Sequence, residues 1–388
     1  MSQPVVLVIG GGIGGLCAAL ALLREGADVR VFEQAQVLGE VGAGLTLSRG
    51  AITCCVHLGI EAELRRFLTP APDFAYLHYQ TGAYLPRPAA PPPKPGQEAH
   101  DGHMFRADLH AILVAAVRAH GAARISLGKA LAGVEQGEGG VTARFADGTS
   151  VTGDVLIGAD GARSAVRRAL FGEGLPEFTG KIAYRFLLPA EDAGDFAEVG
   201  GPACLFVGHG KVFNRYLVSN GRLLNCVGLM GSPDWTDDGW NLPATVEELV
   251  AAYQGWHPAV LSLMARAPAR RLIKWGIFAR QPREVWVQGR AALLGDAAHP
   301  MQPFLGLGAA MAIEDATILG RAFAAYRDIN AALAVYQRVR MPRANAVMML
   351  SKRQGDLFDT TDPAAFPPKG APSHDPLLGE FDPLAEVE

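Results

Sequence analysis

Long apolar runs are missing from this chain of 388 residues. The richest stretches, Val5–Ile9 and Leu16–Leu23, are broken by glycines and end at Arg24 and Glu25, whereas a membrane-spanning helix needs about 20 apolar residues. The N-terminus carries no basic n-region and no small-residue cleavage site, so no secretory leader is expected. Basic excess is missing too: 35 Lys and Arg stand against 39 Asp and Glu, a net charge of −4. Nucleic-acid binders normally carry the opposite balance, which argues against that class. Cysteine is scarce. Cys17, Cys54, Cys55, Cys204 and Cys226 form an odd set of 5 without a CxxC pair. That pattern fits reduced thiols in a cytoplasm, and Cys54 and Cys55 read as packing residues. No metal site is expected.

Glycine and apolar residues are plentiful. A hydrophobic fraction of 49% excludes bulk disorder. Residues 5–33 read as a buried parallel strand, a glycine turn, an Ala- and Leu-rich helix over 13–24, and a second strand over 29–32. The segment PRPAAPPPKP (86–95) has too many prolines for a helix or central strand and reads as an extended surface loop. Residues 106–120 return to helical periodicity. Alternation over 129–157 suggests an antiparallel meander followed by the buried strand 154–157. Strands are expected over 181–188, 204–207, 213–219 and 223–230, with Asn220-Gly221 as the turn between the last two. A strand over 291–294 precedes helices over 308–326 and 330–352. The tail beyond residue 360 is rich in proline and acid and is expected to be loosely ordered.

Three motifs carry chemistry. In the first, Gly10, Gly12 and Gly15 satisfy G-x-G-x-x-G between a strand and a helix. Such glycines allow a tight turn, close approach to a pyrophosphate, and close helix–strand packing, with the helix N-terminus facing the anion. Glu33 ends the next strand, at a distance that suits an acid on a ribose hydroxyl. An acid there repels a 2′-phosphate, so the adenosine belongs to FAD or NAD and not NADP. The second motif, DVLIGADGARS (154–164), ends a strand at Asp160-Gly161. There Asp160 either caps the following helix or bears on the cofactor. The third, GDAAHPMQP (295–303) followed by FLGLGAA (304–310), delivers Asp296 as a hydrogen-bond acceptor. It then opens a helix whose first N–H groups suit an electron-rich ring edge. His299 reads as a loop or core histidine before a general base.

Together the motifs resemble the single-component FAD-dependent aromatic hydroxylases, of the salicylate hydroxylase and 6-hydroxynicotinate 3-monooxygenase type. The resemblance runs from residue 5 to about 345. It is most specific in DVLIGADGARSAVR (154–167) and GRAALLGDAAHPMQPFLGLGAAMAIEDA (289–316). It implies an α/β fold: a Rossmann-type FAD-binding domain with an inserted β-sheet substrate domain and C-terminal helices. The division expected is 1–179 (first part of the FAD-binding domain, with the meander), 180–280 (substrate sheet), 281–355 (second part and C-terminal helices) and 356–388 (acidic, Pro-rich tail).

The implied cofactor is FAD, with NADH or NADPH as co-substrate. Gly12, Gly14 and Gly15 form the glycine turn, and Gly14, Glu33 and Gln34 hold the ADP part. Arg106, in Phe105-Arg106-Ala107-Asp108-Leu109-His110, contacts the cofactor, and Leu131 touches the adenine end. Asp160-Gly161 matches a motif linked to both FAD and NAD(P)H. Asp296 matches the acid on the ribityl chain, and Gly308, Ala309 and Ala310 the backbone near the isoalloxazine. The implied reaction is flavin reduction by NAD(P)H, addition of dioxygen to give a C4a-hydroperoxide, and oxygen transfer to an electron-rich aromatic ring.

The chain also departs from the family. Gly306-Leu307-Gly308 stands where G-Q-G is frequent, and Val212 and Arg215, in the strand before the hairpin, and Thr46, in the early glycine loop, stand where relatives place histidines. Arg215, Tyr216 and Arg185 are then the candidate catalytic groups, with His209 as a further polar residue. The expected partners are a small aromatic substrate and dioxygen, in a monomer or homodimer without nucleic acid. The competing readings are a flavin reductase or dehydrogenase without oxygen insertion and a non-catalytic nucleotide-binding module.

Overall fold

The protein is described here from a computed structural model that covers residues 3–39, 43–71, 74–86, 100–121, 124–172, 174–237, 242–385 and 387. The proline segment 86–95 lies outside these residues except for Pro86.

A six-stranded sheet gathers residues far apart in sequence. Val5–Ile9 lies between Asp28–Phe32 and Val155–Gly158, parallel to both. Ala291–Leu293 continues parallel beyond Val155–Gly158, and Ile125–Ser126 extends the other side. These strands are near-continuous buried apolar runs because helices cover one face and the three-stranded meander packs on the other. Ligands in such sheets meet the carboxyl ends of the strands where the strand order reverses. Here those ends are Ile9, Gly158 and Leu293, and each leads into the turn of one of the three motifs. The meander forms as expected from Leu131–Gly137, Gly140–Phe145 and Ser150–Gly153.

The second large sheet has eight strands. Glu177–Pro189, Leu223–Gly231, Lys211–Val218 and Ala203–Gly208 are antiparallel neighbours. Ile273–Ala279 flanks Glu177–Pro189. At the other side Ala75–His78 runs parallel to Ala203–Gly208, so a segment from the first third of the chain completes this sheet. The turn between Lys211–Val218 and Leu223–Gly231 holds Ser219, Asn220 and Gly221 at positive φ. One face is covered by the helices Val246–Ala252 and Pro258–Ala265, with Leu249, Tyr253, Trp256 and Met264 in the layer between. The opposite face looks toward the six-stranded sheet across a cavity.

The helices Gly308–Ala325 and Ile329–Thr360 are clamped by buried ions. Arg340 pairs with Asp315 at 2.8 Å and with Glu314 at 2.9 Å, and Arg343 pairs with Glu314 at 2.8 Å. Burial alone would raise the Asp315 carboxyl, but His299 and Arg340 hold it below the usual carboxylate range. The second helix runs to Thr360, eight residues past its expected end. The tail is not loose: Phe366 is fully buried, and Ala371 and Pro372 are buried as well. Its prolines end the helix and leave apolar side chains, Phe366 above all, that find cover on the large sheet. All five cysteines are buried thiols. Among the described residues, no helix is long and apolar enough to cross a membrane.

Candidate active site

The first motif builds a cradle from backbone. A Cβ at Gly15 would lie 2.0 Å from the Gly10 carbonyl oxygen, so only glycine lets the helix Ile13–Arg24 start this close to its strand. A Cβ at Gly12 would meet nothing within 4 Å, so the turn faces open space there. The Nε2 of His110 lies 2.8 Å from the Gly11 carbonyl and braces the turn from behind. Glu33 accepts hydrogen bonds from the N–H of Gly11 (2.7 Å) and of Ala35 (2.8 Å). Each carboxylate oxygen keeps a lone-pair direction for another donor.

The second and third motifs converge on this cradle. Asp160 accepts from Ser164 Oγ and from the N–H of Ala165 and Val166, so it caps the helix Ala165–Phe171 while also lining the cavity. Burial is the largest influence on its carboxyl and raises it, although these hydrogen bonds oppose the rise. Arg167, which sequence reasoning passed over, joins the two motifs by donating to the carbonyls of Ala297 and Ala298. Asp296 is exposed to the cavity beside the start of the helix Gly308–Ala325. The first N–H groups of that helix have no intrahelical partner. Gly12, Gly14, Glu33, Gln34, Arg106, Leu131, Gly308 and Ala309 also line the cavity. Gly15 and Ala310 do not: Gly15 serves packing, and Ala310 is fully buried, leaving only its backbone near the helix start. His299 is a core residue, 2.6 Å from Asp315 and ring-packed on Trp286.

The far half of the cavity is a sheet face. Strand pairing sets one row across it: Arg185, Val227, Asn214, Leu205 and Tyr76, each opposite the next. All five line the cavity, as do Val212, Tyr216, Leu229 and Trp275. Arg185 lies over the Trp275 ring, 5.1 Å from its centroid. Burial pushes the Tyr216 hydroxyl well above the usual phenol range, with Arg185 opposing.

Arg215 is the correction. Adjacent residues in a strand point to opposite faces, so Arg215 and Tyr216 cannot both meet the substrate side. Arg215 points to the helix-covered face, where it donates to the carbonyls of Gly201 and Val199 beneath the Phe196 ring. Only 1% of it is exposed, and it does not line the cavity. His209 is exposed against Tyr79 and is also absent from the lining.

On the substrate side, Asn214 and His103 are among the polar lining residues that escaped sequence reasoning. Asn214 follows from alternation, since it sits midway between Val212 and Tyr216. His103 comes from a separate strand, Gly102–Phe105, paired with Gly44–Leu47 so that His103 lies opposite Thr46. Its Nδ1 is 3.3 Å from Thr46 Oγ1, and its ring packs on Tyr216 with centroids 4.2 Å apart. Burial pulls the imidazole down to about 4, so it is neutral near pH 7. No short motif announces this pair.

The cavity encloses about 1360 Å³, more than the roughly 300–1,000 Å³ of ordinary small-ligand sites. It has room for a dinucleotide and a small ring together. Backbone N–H groups at two helix starts, acids at Glu33 and Asp296, and an open cradle at Gly12 suit the ribose, pyrophosphate and ribityl parts of FAD.

Comparison with known proteins agrees. Residues 3–351 match the FAD binding domain family. The chain is 36% identical over 364 residues to the 3-amino-4-hydroxybenzoate 2-monooxygenase of Streptomyces platensis, covering 93% of this chain and 90% of the relative. It is 35% identical over 360 residues to a 6-hydroxynicotinate 3-monooxygenase of Bordetella bronchiseptica, with coverages of 90% and 91%. Among solved structures, a salicylate hydroxylase substrate complex superposes with a TM-score of 0.82 at 27% identity, covering all of this chain and 97% of that one. A Klebsiella pneumoniae HpxO bound to FAD and uric acid gives 0.80 at 29%, with coverages of 92% and 90%. The chain therefore belongs to the FAD binding domain family, among its FAD-dependent aromatic monooxygenases.

Proposed function

We propose that this chain hydroxylates a small aromatic or heteroaromatic ring bearing a phenolic or carboxylate group, consuming NADH or NADPH and dioxygen. The observation that carries the reading is a single cavity. It runs from the dinucleotide cradle to a mostly apolar sheet face with one cation, Arg185, beside Trp275. Bound FAD supplies the electron transfer from nicotinamide and the activation of dioxygen.

The rest of the work is assigned to the chain. Arg185 stays cationic at any working pH and favours the ionised form of a carboxylate or phenol. Tyr216, kept protonated by burial, donates a hydrogen bond to a ring substituent. Leu205, Val212, Val227 and Leu229 exclude water from the reacting ring. The relatives act on 3-amino-4-hydroxybenzoate and 6-hydroxynicotinate, hydroxylated rings with a carboxylate that match this charge. The enzyme is assigned to the cytoplasm, as a monomer or homodimer.

The test is a substrate screen of the purified protein with these two acids, salicylate and urate. It reads flavin absorbance, substrate-stimulated NAD(P)H oxidation and product mass. The expected result is a yellow protein and a product that carries one oxygen atom from dioxygen, with carbon dioxide released where the new hydroxyl takes the carboxylate-bearing carbon. A colourless protein that binds no FAD in calorimetry refutes the reading. NAD(P)H oxidation without an oxygenated product would instead indicate a reductase.

A further inference from the structure

The tail crosses the cavity and is tied down on both sides of it. Near one end, the buried Phe366 ring lies 5.3 Å from Tyr76 and 5.4 Å from Phe358. Tyr76 ends the sheet row that has Arg185 at its other end. That row spans four strand spacings, about 19 Å at roughly 4.8 Å each, far longer than one aromatic ring. His374 also packs against Tyr76, at 6.3 Å. Gln354 accepts from the Ser373 N–H at 3.0 Å, on the helix whose Ser351 donates to the Gln302 carbonyl and accepts from the Leu305 N–H. The far end grips the cofactor side. Arg343 donates to the Leu377 carbonyl at 2.7 Å, Phe381 lies 4.2 Å from Arg343 and 4.9 Å from Arg340, and Arg321 donates to the Pro383 carbonyl. Along this stretch Ser373, His374, Asp375, Leu378 and Phe381 line the cavity. The matched family region stops at residue 351.

We infer that residues 363–383 form a strap that makes up one wall of the substrate site, sets the size and polarity of the ring accepted, and keeps water from the reacting centre. This rests on the hydroxylase reading. The strap shortens the long row at its Tyr76 end and presents a polar edge, Ser373 to Asp375, across from the mostly apolar sheet face. The ring favoured is therefore one with a polar substituent directed toward the strap. Where water enters, NAD(P)H, dioxygen and a proton are converted to NAD(P)⁺ and hydrogen peroxide, and no oxygen reaches the ring.

The experiment compares the full-length holoenzyme with a chain ending at Thr361 and with His374→Ala and Phe381→Ala. The probes are 6-hydroxynicotinate and 3-amino-4-hydroxybenzoate, titrated by flavin fluorescence, with product and peroxide counted per NAD(P)H. Truncation is expected to leave flavin content intact, raise the probe dissociation constant about ten-fold or more, and send most reducing equivalents to peroxide. The point variants, which remove rings without cutting backbone, should each raise the constant about three-fold or more, and they carry the test if the truncated chain does not fold. Unchanged affinity and coupling in the variants overturns the strap. Failure of the full-length enzyme to oxygenate any aromatic compound overturns the hydroxylase reading instead. In that event iodide quenching of the flavin still judges the strap, which predicts greater quenching after truncation or in the point variants and fails if quenching is unchanged.

Discussion

In the cofactor half of the cavity, the ligand-facing groups come from strand ends and helix starts. There a turn of backbone at Gly10–Gly15 and single acids at Glu33 and Asp296 set the geometry. In the substrate half they come from alternate positions on an open sheet face, with a strap from the end of the chain closing one side. At Gly10 and Gly15 the backbone cradle tolerates no side chain, because a new Cβ would meet a carbonyl. A sheet face can exchange Val, Asn, Tyr or Arg at each outward position while the strands stay paired. One half is thus built to hold one ligand and the other to vary.

The sharpest break of this comparison is Gly15→Val. The added carbons would overlap the Gly10 carbonyl, and overpacking of this kind costs about 1–3 kcal/mol or more. Flavin content should fall to near zero and the melting temperature should drop, whereas Val227→Ala on the sheet face should retain full flavin. Spectrophotometry of the two purified variants decides.

Arginines on the two faces of the large sheet come next. Arg215→Ala removes two charge-assisted hydrogen bonds from the helix-covered side, each worth about 1.5–3 kcal/mol. It should lower stability by about 3 kcal/mol in urea unfolding and leave the substrate KM near wild type. Arg185→Ala should do the reverse, raising KM about ten-fold with little loss of stability. If Arg215→Ala alone moves KM, the assignment of faces is wrong.

His103 sharpens the comparison through pH. Its imidazole falls from 6.5 in the unfolded chain to about 4 in the fold. The unfolded chain therefore takes the proton first. His103 imposes no penalty above about pH 6.5, and folded stability is lost as pH falls toward 4. By pH 4 the loss amounts to about 3 kcal/mol. In His103→Gln, stability measured from pH 7 to 4 should decline less steeply than in wild type. Equal slopes would contradict the buried neutral imidazole.

The smallest expected effect is Asp296→Ala. Losing one ribityl acceptor should weaken FAD binding by about 1–3 kcal/mol without changing the melting temperature of the apoprotein. Calorimetric titration of the apoprotein measures it.

Legibility in the sequence follows the same division. The glycine turn, the meander, the hairpin and the parallel strands are each fixed by a contiguous pattern, and all were readable. Asp160, Asp296 and Glu33 came with them because each lies at a strand end. The substrate face was readable only in part. Arg215 was assigned to it although strand alternation allows either Arg215 or Tyr216, and the presence of Asn214 follows from that same rule. His103 reaches Thr46 through pairing of strands more than fifty residues apart in sequence, which no local spacing encodes. The tail has the composition of a loose segment, yet Phe366 and Phe381 find an aromatic cluster and a pair of arginines that only the folded core brings together.

The most direct test of the whole account is turnover of the holoenzyme under heavy-isotope dioxygen with 6-hydroxynicotinate or 3-amino-4-hydroxybenzoate. The account predicts one labelled oxygen atom in each product molecule and one NAD(P)H consumed for it. NAD(P)H oxidation with an unlabelled or unoxygenated product would contradict it.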